Sequence, residues 1–355
     1  MKKKVLVAMS GGVDSSVAAL LLKDAGYEIA GVTMCLGVRG MEGEHPRCCG
    51  PDAVQDAKRV CDRLGIRHYV WDYAEELETW VIEPFVAEYA RGRTPNPCVV
   101  CNRYLKFGSL MNRAAAFGFD ALATGHYANI EDQGGRWCLT RPRDRRKDQT
   151  YFLYHIAPET LPRILFPLGS YVKEEVRAIA VHAGLPVAAK AESQDVCFVP
   201  QKSYHEFLKK RLGDVNPGRI VDQDGCCLGT HKGVTYYTVG QRGGLGISHP
   251  VPLYVLKIDV ENNEIVVGEK KDLLGRTLIA GDLNLFRLDW PEVVQAKIRY
   301  RKKESPCRVS FADGHARVVF EEAQEAITPG QSVVCYEGDE LLGGGVIEEV
   351  VHGNR

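Results

Sequence analysis

Two stretches of this chain carry residue types whose spacing suits chemistry. The first, Ser10-Gly11-Gly12-Val13-Asp14-Ser15-Ser16, follows directly on the apolar run Val5-Leu6-Val7-Ala8-Met9. Paired glycines allow positive φ and close backbone approach, and Asp14, Ser15 and Ser16 suit the first turn of a helix continuing over 17–23. A strand, a glycine turn and a helix start leave free N–H groups converging at a helix N-terminus, which is a cradle for phosphate or pyrophosphate. The pattern G-x-x-x-x-G-K-[ST] does not occur here, and neither does G-x-G-x-x-G. The second stretch runs from Gly92 to Phe107. There Pro95 and Pro97 stiffen a loop around Asn96, and Cys98 and Cys101 follow at C-x-x-C spacing. A further cysteine, Cys197, lies in Glu192-Ser193-Gln194-Asp195-Val196-Cys197-Phe198.

These residues must be held by a scaffold. From Lys4 to about Ser203 short β-branched runs alternate with amphipathic stretches, the pattern of a doubly wound parallel sheet with helices on both faces. Strands are expected at 5–8, 29–33, 68–72 and 121–124, and helices at 53–64 and 77–91. Ligands gather at the carboxyl ends of strands in such sheets, so Ser10 to Ser15, Met34 and Gly125-His126 are expected along one edge. After about Tyr204 the texture changes to short strands and turns such as Asp222-Gln223-Asp224-Gly225 and Glu261-Asn262-Asn263-Glu264, a small β-rich region. From about Asp272 alternation in Gln295 to Tyr300, Arg308 to Phe311 and Ala316 to Phe320, with turns at Asp313-Gly314 and Gly338-Asp339, predicts a small antiparallel barrel or sandwich. The expected domains are 1–203, 204–271 and 272–355.

The chain has 355 residues and a formal net charge of −1, so nucleic-acid binding has to come from local basic patches. The apolar run after Met1-Lys2-Lys3-Lys4 is broken by Ser10-Gly11-Gly12, so neither a signal peptide nor a membrane span is expected. Twelve cysteines without an export signal suit a reducing, cytoplasmic compartment, where thiols serve metals or catalysis more than structural bridges.

The loop Ser10 to Ser15 resembles the SGG-x-DS loop of the ATP pyrophosphatases, enzymes that split ATP between its α and β phosphates. Together with Asn96-Pro97-Cys98-Val99-Val100-Cys101-Asn102 and the Cys197 loop, it resembles the tRNA 2-thiouridylase branch of that family. Gly125-His126-Tyr127-Ala128, Lys147-Asp148-Gln149-Thr150-Tyr151-Phe152-Leu153, Gly229-Thr230-His231-Lys232-Gly233 and Thr238-Val239-Gly240-Gln241-Arg242 extend the resemblance along the whole chain. It implies ATP-dependent 2-thiolation of the wobble uridine of tRNA, with Cys101 as nucleophile and Cys197 as persulfide carrier. The nucleotide site falls on Ala8, Met9, Ser10, Gly11, Gly12, Val13, Asp14, Ser15, Met34 and Gly125. Contacts to tRNA fall on Asn96, Pro97, Cys98, His126, Lys147, Asp148, Gln149, Arg299, Tyr300 and Gln331. ATP with Mg2+, tRNA, a sulfur-donor protein and a monomeric state are expected.

Cys98 departs from the family pattern, which carries aspartate there as the proposed acid/base. The change gathers three thiols, Cys98, Cys101 and Cys197, the ligand count for a [4Fe–4S] cluster with one open iron, as an alternative to the persulfide route. A structural zinc site completed by Cys48-Cys49 is the plainer reading of C-x-x-C. Cys35, Cys61, Cys138, Cys307 and Cys335 are expected as small buried residues and Cys226-Cys227 as incidental. The basic run Arg141, Arg143, Arg145, Arg146 and Lys147 suits RNA phosphates, with a solvated loop as the plainer reading. Two other activities compete: a ligase or amidotransferase adenylating a small metabolite, and a non-catalytic tRNA-binding sulfur relay. The thiol pair argues against the first and the intact Ser10 to Ser15 loop against the second.

Overall fold

The computed structural model describes residues 2–37, 51–192, 196–199, 204–213 and 216–351. Two compact units emerge. One comprises Met1–Val81, Cys98–Gln201 and Asp339–Leu341, the other Ile82–Pro97, Lys202–Gly338 and Leu342–Arg355.

The first unit holds β1 (Lys4–Ala8), β2 (Glu28–Cys35), β3 (His68–Asp72) and β4 (Ala121–Ala123). A hairpin of β5 (Asn129–Gln133) and β6 (Arg136–Thr140) follows, then the two-residue strand β7 (Ile164–Leu165). The order β3-β2-β1-β4-β7 is parallel throughout, as expected, and β7 extends it beyond the strands read from the sequence. Val5, Leu6 and Val7 are all fully buried, because β1 is central and covered on both faces, which is why it reads as a continuous apolar run. Helices α1 (Val13–Asp24) and α2 (Pro51–Leu64) supply Val17, Ala18, Ala57, Val60 and Cys61 to the same core.

One expected helix departs from regular geometry, and a stretch read as a loop, from Pro97 onward, is helical. The helix expected over 77–91 forms as Ala74–Leu77, a π-helical turn at Glu78–Ile82 and Glu83–Ala90. Likewise Pro97–Val100 opens an α-turn that widens into a π-helix over Cys101–Leu110 before returning to α at Met111–Ala116. The i→i+5 bonding of a π-helix turns residue i+5 closer to the face of residue i than an α-helix does, and such turns often mark functional sites.

In the second unit, β8 (Gly218–Val221), β9 (Cys227–His231), β10 (Tyr254–Asp259) and β11 (Glu264–Gly268) form a sheet in the order β10-β11-β8-β9. It closes over Ile220, Tyr237, Val255, Ile265 and Val267. Then come β12 (Leu274–Leu285), β13 (Val294–Lys297), β14 (Ser305–Ala312), β15 (His315–Glu325), β16 (Ser332–Glu337) and β17 (Glu340–Val351). The order β12-β15-β14-β13-β16-β17 returns to β12, giving a closed barrel around Leu278, Val294, Val318, Phe320 and Ile347. The turn expected at Asp313-Gly314 joins β14 to β15 with φ of 49° and 76° at its two central residues, the left-handed pair that a tight hairpin requires. Among the described residues no helix is long and apolar enough to cross a membrane.

The glycine loop after β1 is shaped by space as much as by conformation. Gly11 has φ +69°, and a Cβ there would stand 2.3 Å from the Ala53 carbonyl oxygen. A Cβ on Gly125, just beyond β4, would come within 2.7 Å of the Ser15 amide nitrogen. Replacing Gly125 by Ala must therefore push β4 away from the first turn of α1. Gly125→Ala is expected to cost about 1–3 kcal/mol and to lower the melting temperature of the first unit by roughly 2–10 °C. Thermal unfolding followed by circular dichroism checks it, and a melting curve unchanged from that of the natural protein would contradict the close packing.

Candidate active site

The loop at the end of β1 is tied down from inside. The Ser10 amide donates to Ser15 Oγ at 3.2 Å, Ser16 Oγ donates to the Gly12 carbonyl at 2.7 Å, and Thr33 Oγ1 donates to the Met9 carbonyl at 2.9 Å. Lys190 Nζ donates to the Gly11 carbonyl at 2.9 Å and pairs with Asp56 at 2.7 Å, holding the loop against α2. Ser10 remains exposed and Gly12 and Asp14 half-exposed, so the cradle is open where phosphate would enter. Met34 lies half-buried at the end of β2 opposite Trp71, and Gly125 abuts Asp14 and Ser15, so every residue expected in the nucleotide site falls along one sheet edge.

Asp14 leads to groups that the sequence did not single out. Its Oδ1 accepts from Tyr127 Oη at 3.0 Å and from Lys173 Nζ at 2.6 Å. Lys173 is buried, with its side chain 7% exposed, and also pairs with Glu192 at 3.1 Å. Glu192 in turn takes Lys147 at 2.7 Å. Hydrogen bonds from Lys147 and Lys173 pull the Glu192 carboxyl below its ordinary range, against the opposing effect of burial. A chain of alternating charge therefore runs from the phosphate cradle to the segment that leads to Cys197.

The thiols occupy the same unit. Cys101 is buried, Cys197 half-buried and Cys98 exposed, and all three are unbridged. Burial pushes the Cys101 thiol up to about 12, and the ammonium of Lys106 opposes that rise while Cys197 and Cys98 add to it. Reduced hydration, with Cys197 adding to it, pushes the Cys98 thiol up to about 11, and the Lys106 ammonium opposes that rise. Lys106 stands five residues after Cys101 in the π-helix and donates to Asn102 Oδ1 at 2.9 Å, while Asn102 Nδ2 donates to the Phe152 carbonyl at 2.9 Å. A loop reading of this stretch gives no reason to pair Lys106 with Cys101; the helix observed there does. His126 shares the neighbourhood. Its Nδ1 meets Thr124 Oγ1 at 2.7 Å between the Phe107 and Phe166 rings, and burial with the Lys106 charge drives its pKa well below the ordinary value, so the ring is neutral.

Among the described residues no three His, Cys, Asp or Glu side chains are arranged to share a metal ion, Cys98, Cys101 and Cys197 included. Cys48 and Cys49, the expected completion of a zinc site, lie outside the described residues, as do Ser193, Gln194 and Asp195. Cys61, Cys138, Cys307 and Cys335 are buried as expected, Cys35 is half-buried, and Cys226 and Cys227 are exposed.

Several residues expected at RNA are engaged by the protein itself. Asp148 is buried, its carboxylate accepting from the Thr150 amide at 2.9 Å and the Thr150 hydroxyl at 2.6 Å. Gln149 exchanges bonds with Tyr127, its Oε1 accepting the Tyr127 amide at 2.8 Å. The basic run is ion-paired: Arg143 with Glu175 at 3.1 Å, Arg146 with Glu174 at 2.9 Å, and Arg145 with Asp339. In the second unit Gln331 Nε2 donates to the Thr94 carbonyl at 2.8 Å, bracing the loop that carries Asn96 and Pro97. Arg299 donates to the Val239 carbonyl at 3.1 Å, and Lys297 lies over the Tyr300 ring at 5.7 Å.

Because Lys106 is the cation that favours the Cys101 thiolate, Lys106→Met is expected to raise that thiol's pKa further and Lys106→Arg to retain most of the effect. Alkylation of Cys101 by iodoacetamide across pH 7–10 reads this directly, with roughly tenfold slower labelling for each unit of upward shift. Equal labelling of Lys106→Met and the natural protein would remove Lys106 from this role.

Residues 3–201 match the tRNA methyl transferase HUP domain, 205–269 the tRNA methyl transferase PRC-barrel domain and 276–347 the aminomethyltransferase beta-barrel domain. The chain is 57% identical over 352 residues to tRNA-specific 2-thiouridylase MnmA 1 of Syntrophus aciditrophicus, covering 99% of this chain and 94% of that one. It is 51% identical to tRNA-specific 2-thiouridylase MnmA of Carboxydothermus hydrogenoformans, covering 98% of each. A crystal structure of a 4-thiouridine synthetase–RNA complex with bound ATP aligns at a TM-score of 0.38 and 18% identity over 60% of this chain and 51% of that one, too slight a likeness to argue from. With three domain models matched in sequence and half or more of its residues shared with full-length relatives, the chain belongs to the tRNA-specific 2-thiouridylase family.

Proposed function

We propose that this protein is a tRNA-uridine 2-sulfurtransferase that thiolates the wobble uridine (U34) of tRNA at the expense of ATP. The observation that carries this reading is the joining of a pyrophosphate cradle and a thiol cluster within one compact unit, in a chain of this family. A ligase or amidotransferase has no use for the thiols, and a sulfur relay has none for the cradle.

The uracil C2 carbonyl is a poor electrophile and its oxygen a poor leaving group. In the reading proposed, that oxygen attacks the α-phosphorus of ATP, the N3 proton is lost, and pyrophosphate leaves through the loop Ser10 to Ser15. Main-chain N–H groups at the start of α1 receive the charge that develops on the leaving phosphates. Mg2+ arrives as the counterion of the triphosphate. Cys197 carries the outer sulfur as a persulfide. The Cys101 thiolate attacks the inner sulfur, forming the Cys101–Cys197 disulfide and expelling hydrosulfide, which adds to C2 and displaces AMP. An external dithiol restores the two thiols, and a persulfide donor protein reloads Cys197. Segments 1–203, 204–271 and 272–355 serve as catalytic, central tRNA-contacting and barrel domains.

Cys98, where the family's aspartate would stand, is read as lining the pocket for the target base together with Asn96 and Pro97. The remaining expected tRNA contacts, His126, Lys147, Asp148, Gln149, Arg299, Tyr300 and Gln331, shape the surface more than they offer free groups. The engaged side chains described above support that division.

Incubation of the protein with ATP, a persulfide donor and unmodified tRNA, followed by nucleoside analysis, tests the reading. Cys101→Ala and Cys197→Ala are each expected to abolish 2-thiouridine while still forming AMP on binding tRNA. Thiolation by both variants would refute the assigned roles. Because burial holds the Cys101 thiol far above neutrality, the single-turnover rate is expected to rise about tenfold per pH unit between pH 7 and 9. A flat profile in that interval would rule out the Cys101 thiolate as the species whose formation limits sulfur transfer.

A further inference from the structure

The first unit exposes an aromatic pair that the mechanism above does not use. Trp80 and Tyr104 stack with ring centroids 5.1 Å apart and planes 18° from parallel, and they remain 48% and 36% exposed. The Arg103 guanidinium carbon lies 4.9 Å from the Tyr104 ring centre. Since Trp80 covers one face of Tyr104, the guanidinium takes the other, and the three groups make a layered stack whose outermost ring is Trp80. Arg103 and Tyr104 sit two and three residues after Cys101 in the π-helix, within one turn of the thiol.

We propose that the Trp80–Tyr104–Arg103 stack is a platform for an unpaired nucleotide flanking the target uridine in the anticodon loop. The inference rests on the tRNA reading above and deepens it. An enzyme that acts on a base must take that base out of its stack, which leaves the neighbouring base with a bare π-face. A flat aromatic surface on the helix that carries Cys101 replaces the lost neighbour, and a guanidinium in the same stack adds a positive charge suited to RNA phosphates. The platform accepts any base, because every base has a π-face. Its role is thus to hold the loop open around the wobble position, without reading sequence. The occupant is a nucleotide because the patch is flat, aromatic and cationic and lies within one helical turn of a thiol proposed to act on a nucleobase.

The test uses the full-length protein and anticodon stem-loop RNAs, with affinity read by fluorescence anisotropy at fixed salt. One RNA is intact, and two others carry an abasic site on one side or the other of the target uridine. Trp80→Ala is expected to weaken binding of the intact RNA roughly 5- to 100-fold, the range a stacked base contributes. One of the abasic RNAs should bind the natural protein more weakly by a similar factor and lose nothing further with Trp80→Ala. Trp80→Phe, which keeps a ring, should stay within about threefold of the natural protein. If the stack only braces the protein, Trp80→Ala will lower the melting temperature and weaken all three RNAs equally, and the proposal fails. It fails too if the natural protein binds both abasic RNAs as tightly as the intact one, a measurement that needs no variant to fold. Natural protein that neither binds tRNA nor forms 2-thiouridine would overturn the tRNA reading itself. Thiolation with unchanged affinity in Trp80→Ala would overturn the platform alone.

Discussion

A single buried ammonium ties the phosphate cradle to the sulfur-bearing segment. Lys173 is almost wholly enclosed, and a buried charge is tolerable only when paired and hydrogen-bonded. It has two partners, Asp14 from the loop after β1 and Glu192 from the segment leading to Cys197. Removing either carboxylate would leave the ammonium half-satisfied, so the two segments cannot be positioned independently.

The thiols illustrate how burial and charge oppose each other at close range. Cys101 is enclosed and held in its neutral form by the lack of hydration, which protects it from adventitious oxidation but leaves it a weak nucleophile. Lys106 is the counterweight. It lies close enough to favour the thiolate and to help keep His126 neutral, and its own position is secured through Asn102 and the Phe152 carbonyl. In an α-helix residue 106 would point away from residue 101. The π-helical widening of Cys101–Leu110 supplies the alignment, so an irregular helix that costs stability is explained by the electrostatics it permits.

What the amino-acid sequence made legible is whatever depends on near neighbours. The cradle, the four strands β1 to β4 and the hairpin turn at Asp313-Gly314 are encoded within a few residues each. The doubly wound sheet follows from their alternation with helices. The rest depends on partners far along the chain. Arg143, Arg145 and Arg146 form exposed ion pairs with Glu175, Asp339 and Glu174, partners distant in sequence that the basic run alone does not reveal. Gln331 braces Thr94 from more than two hundred positions away. Asp148 turned inward because Thr150 offers both an amide and a hydroxyl, a local turn that the motif resemblance overrode. Lys173 has partners remote in sequence, and Lys106 lies in a stretch whose prolines read as a loop and which folds as a helix.

The substitution at Cys98 gains a physical meaning from this arrangement. A carboxylate in that position would be anionic at neutral pH and would face Cys101 and Cys197, raising the free energy of either thiolate. Cys98 has its own pKa pushed up to about 11, so it adds no charge at neutral pH. Replacing acid by thiol therefore removes a like charge from beside the nucleophile while keeping a small polar group at the rim. The cost falls on proton transfer, since a thiol with so high a pKa is a poor general base and neutral His126 is already occupied at Nδ1 by Thr124. In the mechanism proposed above the uracil N3 proton then leaves by another route: once the C2 oxygen has attacked phosphorus, the ring carries positive charge and N3–H is acidic enough for water at the exposed Cys98 rim to accept it. In that reading the balance between acid/base assistance and thiolate stabilisation shifts toward the thiolate.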